Sequence, residues 1–247
     1  MNPAEFANIA KVEQEMWWFR GMNRILFRIL RDYAGPEIRN VVEGGCGTGY
    51  LSTLLARQFG WRMTAVDLSE LGCGYARGLG LEHVAQADVS KMPFKDAAFD
   101  ALVSMDVLVH FPRGEERGAI REFVRVVRPG GLFAIRVSAL DALHSRHSDF
   151  AHERQRFTKT RLLAEARAAG IDVLRCTYLN SLLLPVSFTR FRIWEPLTRQ
   201  QPASGVHEYG PVLDKLLGLP LNLEEKWLGA GLNFPLGQSL LLIGRKR

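Results

Sequence analysis

Residues 41–50 read Val41-Val42-Glu43-Gly44-Gly45-Cys46-Gly47-Thr48-Gly49-Tyr50. An apolar pair and an acid run into four glycines within six positions. Glycine at this density weakens any helix or strand that contains it. The run therefore predicts a turn, with a short buried strand before it. After it, "YLSTLLARQFG" returns to the three-and-four spacing of a helix. A turn without Cβ atoms lets the backbone approach a ligand closely, and the helix behind it offers unpaired N–H groups. Strand, glycine turn and helix in this order form a nucleotide site at the carboxyl edge of an open α/β sheet.

The alternation continues on both sides. Before the turn, Met22, Ile25, Leu26, Ile29 and Tyr33 recur at helical spacing until Gly35 and Pro36 stop the pattern. After it, "RMTAVDLS", "LEHVAQADVSKMPF" and "FDALVSMDVLVHF" supply strands two to four. "GAIREFVRVVRPGG" is an amphipathic helix ended by its proline and glycines, and "LFAIRVSA" is strand five. "KTRLLAEARAAG" is a helix, "IDVLRCTY" strand six and "QSLLLIGRK" the last strand. Such alternation predicts an α/β protein with a doubly wound, mostly parallel sheet of seven strands, apolar because it is covered on both faces. Residues 179–237 break the rhythm. They are apolar, aromatic and interrupted by proline, too long for a bare loop. They predict a helical cap inserted before the last strand, which walls a substrate pocket, adds to the core, or meets lipid or a partner. The core domain is then 1–178 plus 238–247.

The chain has 247 residues, a net charge of +6 and 47% hydrophobic residues. Its Lys and Arg are scattered among acids, which gives no stripe for nucleic acid. Cys46, Cys73 and Cys176 share no metal spacing and suggest a reducing compartment, hence the cytoplasm. No stretch is apolar enough to span a membrane, although the cap leaves peripheral membrane contact open. The reading fits a monomer or a homodimer.

The dinucleotide fingerprint requires a third glycine where Tyr50 stands, which excludes the usual nicotinamide site. An acid two residues before Gly45-x-Gly47-x-Gly49 instead resembles the first motif of class I S-adenosylmethionine-dependent methyltransferases. The resemblance extends over about residues 15–178. "AVDLS" places Asp67 after strand two, "QADVSKMPF" places Asp88 after strand three, and "FDALVSMDVLVHF" with "RPGG" follows in order. It implies the Rossmann-like methyltransferase fold, with S-adenosyl-L-methionine as cofactor and S-adenosyl-L-homocysteine as product. Gly44, Gly45, Cys46, Gly47 and Gly49 would form the cradle, with Glu43 beneath the cationic methionine end. Asp67 would take the ribose hydroxyls, and Asp88 with the Val89 N–H the adenine. Leu68 and Met92 would flank the ring, and Met105 would line the sulfonium channel. A leading helix would close as a lid, with Arg20 or Arg24 on the methionine carboxylate and Trp17 and Trp18 as walls.

The resemblance also turns residues 144–152 toward the acceptor. His147, His152 and His110 are candidate bases, because a histidine titrates near working pH. His144, Tyr178 and Asn180 are candidate acceptor contacts. The spacings among His144, His147 and His152 match no helical ligand pair, so no metal is assigned. The implied reaction is methyl transfer to oxygen or nitrogen of a small hydrophobic or aromatic acceptor. The alternatives are a non-catalytic subunit with this fold, or a tRNA or rRNA methyltransferase.

Overall fold

Val41 and Val42 are fully buried, and they sit in the centre of a seven-stranded sheet. The computed structural model describes residues 2–198 and 201–247. Its strands are β1 (Asn40–Gly44), β2 (Arg62–Asp67), β3 (His83–Gln86), β4 (Phe99–Met105), β5 (Val127–Ser138), β6 (Ile171–Leu179) and β7 (Ser239–Lys246). The order across the sheet is β3-β2-β1-β4-β5-β7-β6. β1, β2, β3, β4 and β5 pair in parallel, while β7 runs antiparallel to both β5 and β6. The sheet is mostly parallel, and its switch point lies between β1 and β4. The carboxyl ends of those strands splay there into a crevice.

Helices cover both faces: α1 (Pro3–Val12), α2 (Trp17–Leu30), α3 (Tyr50–Phe59), α4 (Glu70–Gly78), α5 (Glu116–Val126), α6 (Arg146–Phe150) and α7 (Lys159–Ala168). One apolar layer includes Phe123, Phe133 and Phe157 against α5 and α7. The other includes Ile25, Ile29 and Leu55 against α2 and α3. The sequence puts "RPGG" at the end of a helix, but α5 stops at Val126 and β5 begins at Val127. A register shift between Phe99 and Ala101 absorbs the proline and glycines, with Gly130 at φ +72. Pro129 has no N–H to give the ladder, so it is tolerated at such an irregularity.

Residues 179–237 contain α8 (Leu184–Thr189), a π-helical turn (Arg190–Trp194), α9 (Glu195–Thr198) and α10 (Pro211–Gly229). α10 lies along α2. A Cβ on Gly21 would sit 2.4 Å from Leu221 Cδ1, so only glycine allows this approach. Leu221 and Leu228 are fully buried in the seam, worth about 1.5–3 kcal/mol each. A polar ladder runs beside it: Arg20 pairs with Asp214, Arg24 with Glu225 and Asn222, and Arg28 with the Gly229 carbonyl. Asp214 also accepts the Trp17 N–H at 2.7 Å, capping α2 from the far end of the chain.

Candidate active site

The turn after β1 is built on left-handed glycines. Gly45, Gly47 and Gly49 have φ of +78, +57 and +80, where side chains are strained. A Cβ on Gly45 would lie 2.1 Å from Val107 Cγ2, and one on Gly49 2.6 Å from the Ala76 Cβ. Gly47 faces open space. The N–H groups of Gly45 and Cys46 donate to the Val66 carbonyl at 2.7 and 2.8 Å, fastening the turn to β2. Asp67, the last residue of β2, accepts from Gly47 N–H on one oxygen and Ser69 N–H on the other, both at 2.8 Å. A carboxylate has about four lone-pair sites, so each oxygen can still accept from a ligand.

A cavity of about 830 Å³ opens over this turn, within the range of small-molecule sites. Glu43, Gly45, Cys46, Gly47 and Asp67 line its floor, and Leu68, Asp88 and Val89 its far edge. Asp88 is exposed and accepts from the Ser90 N–H at 2.8 Å. Met105, Trp17 and Trp18 form a side wall. His110, His147, His152 and Asn180 line it as well. The cap contributes Leu183, Phe191 and Tyr209.

Other predicted contacts fall elsewhere. Arg20 is committed to Asp214 and does not line the cavity, nor does Arg24, which serves the same ladder. Gly44 lies beneath the turn, its Cβ direction 3.2 Å from the Phe123 ring, and Gly49 backs onto α4. Met92 is buried in the apolar layer under α5. His144 turns outward to Asp149 at 2.7 Å. Tyr178 joins the core on the α7 side, because alternate residues of β6 face opposite ways.

Several wall residues were not visible in the sequence pattern. Glu13, just after α1, accepts from Thr48 Oγ1 at 2.6 Å. Arg136, on β5, is buried and gives two hydrogen bonds to Asp106, at 2.9 and 2.6 Å, with its guanidinium 5.2 Å from the Trp18 ring. Asp106 sits at φ +58, a strained value for a residue with a side chain. Glu5 is buried and lies 3.7 Å from His147 Nδ1. No motif marks these positions.

The electrostatics are one-sided at the floor. Glu43 is buried and accepts from Ser52 Oγ. Burial, then the nearby Asp67 and Glu13, push its pKa up to about 8. Burial raises Glu13 to about 7, against the Thr48 hydrogen bond. Asp67 is raised as well, again by burial. None of these acids is paired with Lys or Arg among the described residues. Three buried polar atoms in the wall also lack a partner: Trp17 Nε1, Asp106 Oδ1 and Asn180 Oδ1.

The histidines divide by tautomer. His110 Nδ1 lies 3.2 Å from the His152 carbonyl, which can only accept, so Nδ1 carries the proton and Nε2 keeps a free lone pair. Burial lowers its pKa. His147 Nδ1 accepts the Gly205 N–H at 3.0 Å, so in the neutral ring the proton sits on Nε2. His152 itself is exposed. Among the described residues no group of three or more His, Cys, Asp or Glu is arranged to hold a metal.

Residues 42–135 match the family described as "Methyltransferase domain". Over 128 residues the chain is 29% identical to the "Probable S-adenosylmethionine-dependent methyltransferase" of Mycolicibacterium smegmatis, covering 51% of this chain and 48% of that protein. Over 116 residues it is 31% identical to norajmaline N-methyltransferase of Rauvolfia serpentina, covering 44% and 39%. The chain thus spans about half or less of the length of these relatives. The fold is similar to the solved complex of the Haloferax volcanii Trm112 methyltransferase activator with its methyltransferase, at a TM-score of 0.64 and 20% identity over 98% of this chain and 94% of that one. The family match begins in β1, just before the glycine turn, and ends in β5, and the strand order with its reversed β7 is built around it: residues 42–135 are similar to the methyltransferase domain family.

Proposed function

We propose that the protein moves a methyl group from S-adenosylmethionine to an oxygen or nitrogen of a small, largely apolar or aromatic acceptor. One observation carries the reading. Glu13, Glu43 and Asp67 surround the glycine turn as buried acids without a cation, and the same cavity holds His110 and the aromatic wall. Buried carboxylates without a counter-charge are costly unless a ligand supplies it. S-adenosylmethionine carries an ammonium and a sulfonium, so the residues present fit it.

Glu43 and Glu13 would face those charges, and Asp67 the ribose hydroxyls. Arg136 takes the anion-binding role that the resemblance gave to Arg20 or Arg24. Its Nη1 has no described protein partner, and the orphan Trp17 Nε1–H lines the same cavity. Exposed Leu68 at the mouth, with Asp88 and Val89, suits the adenine. When bound, the cofactor supplies a methyl group already activated by positively charged sulfur. The protein's part is alignment and exclusion of water. Trp17, Trp18, Phe191 and Tyr209 enclose the acceptor, so residues 179–237 act as the cap of its pocket. His110 Nε2 accepts the acceptor's proton where the nucleophile needs deprotonation. The buried free thiols of Cys46, Cys73 and Cys176 support a reducing, cytoplasmic setting.

Calorimetry with S-adenosylmethionine, S-adenosylhomocysteine and NADH, on wild type and Asp67→Ala, tests the cofactor. The expected result is micromolar binding of the first two, lost in the variant, and none of NADH. Incubating a cell extract with methyl-labelled cofactor then tests the acceptor class. Label in the organic-soluble small molecules supports the reading, label in RNA overturns the acceptor, and no label alongside intact binding favours a non-catalytic role.

A further inference from the structure

α10 carries two apolar faces. One is the seam against α2. The other is open: Val212, Leu216, Leu219, Leu223 and Trp227 are 82, 59, 48, 59 and 47% exposed. Their spacing of four, three, four and four draws one straight row along the helix, about 22 Å long. The neighbouring helical segment shows the same division. Ser187, Arg190, Phe191 and Glu195 line the cavity, while Val186, Ile193, Trp194 and Leu197 stay open. Isolated exposed leucines are ordinary, but an unbroken row rarely is left to water.

Charge around the row identifies what covers it. At 100° per residue, Lys215 and Lys226 fall along one edge of the row, and Asp214 and Glu225 fall on the opposite side of the helix. The acids are turned inward and occupied. Asp214 takes Arg20 and the Trp17 N–H, Glu225 takes Arg24, and Glu224 takes the Leu182 N–H. Lys215 and Lys226 have no ion pair among the described residues. The open face is therefore apolar with a cationic border and no free acid. Lysine stems lie along apolar surface while their ammonium groups reach an anionic one. A second copy laid antiparallel on the same row would bring the two lysine edges together, like charge against like. Among the described residues no helix is long and apolar enough to cross a membrane, which leaves a helix lying in the surface plane.

We propose that the open face of α10, with Lys215 and Lys226 at its edge, docks the protein on an anionic lipid surface. The row seats at the level of the headgroups and upper acyl chains, and the lysines neutralise lipid phosphates. The inference is independent of methyl transfer, because it uses no residue of the cavity floor.

The test is cosedimentation of the full chain with vesicles of phosphatidylcholine alone, or of phosphatidylcholine and phosphatidylglycerol at about 3:1, at low and high salt. Leu216→Asp with Leu223→Asp removes the row, and Lys215→Glu with Lys226→Glu reverses its edge. These positions are exposed, and a thermal melt of each variant verifies that it is folded. The expected result is partitioning to the anionic vesicles, weaker by about tenfold or more without phosphatidylglycerol, and in both variants. Equal binding to both vesicles, or binding that folded variants retain, overturns the proposal. No vesicle binding overturns it too. In that case sedimentation velocity assigns the row to a second copy if wild type is a dimer that Leu216→Asp dissolves, and to bare solvated surface if wild type is a monomer.

Discussion

Glu13 accepts a hydrogen bond from Thr48 at 2.6 Å, so the segment after the first helix is latched directly to the glycine turn. Both residues are buried, and both line the cavity. The latch joins two parts of the cavity wall. Thr48→Val leaves a buried carboxyl without its donor, a loss of about 1–1.5 kcal/mol. Calorimetry with S-adenosylhomocysteine should show affinity falling by about five- to tenfold in Thr48→Val or Glu13→Leu. The double variant should be little worse than either, because the two changes break one contact. Additive losses would show that the residues act separately.

The same acids predict a proton signal on binding. With folded pKa values near 8 and 7, Glu43 is mostly protonated and Glu13 about half protonated at pH 7. A bound cation favours their ionised forms. S-adenosylmethionine should therefore release protons at about pH 7, read as a dependence of the calorimetric enthalpy on the buffer's ionisation enthalpy. Glu43→Gln should reduce the release. For the free protein the sign is fixed by the upward shift. A raised carboxyl contributes stability that is complete below its unfolded pKa, here 4.5, and is lost as pH rises through 7 and 8. The melting temperature of the free protein should drop across that window, and saturating cofactor should flatten the drop. A midpoint that rises from about pH 5 to 8 would contradict the burial of these acids.

Arg136 and Arg20 make contrasting predictions. Arg136 is buried at the cavity wall on Asp106, whereas Arg20 is half exposed on the α2–α10 seam. Arg136→Met should lower affinity for the adenosyl ligands by tenfold or more, roughly the worth of a charged hydrogen bond, about 1.5–3 kcal/mol. Arg20→Met should leave affinity within about twofold and cost at most about 1 kcal/mol in urea melts, as surface pairs do. The reverse order would return the anion-binding role to Arg20.

What the sequence reveals is what is local. The glycine turn, Glu43 and Asp67 are legible because a strand, a tight turn and an acid at the next strand's end are set by residues close in the chain. Asp88, Val89 and Met105 rest on the family resemblance, and all three line the cavity. Glu13 is silent because its meaning lies in a hydroxyl 35 residues away. Arg136 hides inside an apolar strand, where period-two alternation turns it toward the cavity. Arg20 misleads because a helix arginine near a predicted lid serves either a ligand or a neighbouring helix. Only the position of Asp214, 194 residues later, decides between them. Composition sets residues 179–237 apart from the alternating core, but does not show which face of α10 is packed and which is open. Both faces are apolar, and periodicity cannot rank them.

His110 gives the last prediction. The His152 carbonyl fixes its proton on Nδ1, and burial lowers its pKa below the ordinary 6.5. Its Nε2 is therefore a free acceptor at neutral pH, whereas His147 spends Nδ1 on the Gly205 N–H. With an acceptor that must lose a proton, kcat/KM should fall on the acid side with a midpoint below about pH 6.5. His110→Gln should abolish that limb and lower kcat by about 10²–10⁴-fold, the usual worth of a general base. Binding of S-adenosylhomocysteine should stay near wild type in this variant. His147→Gln should keep the limb, because the amide can still accept from Gly205. Retention of the limb in His110→Gln and its loss in His147→Gln would exchange the two roles. Loss in neither would mean that alignment alone carries the reaction, with the acceptor reaching the site already deprotonated.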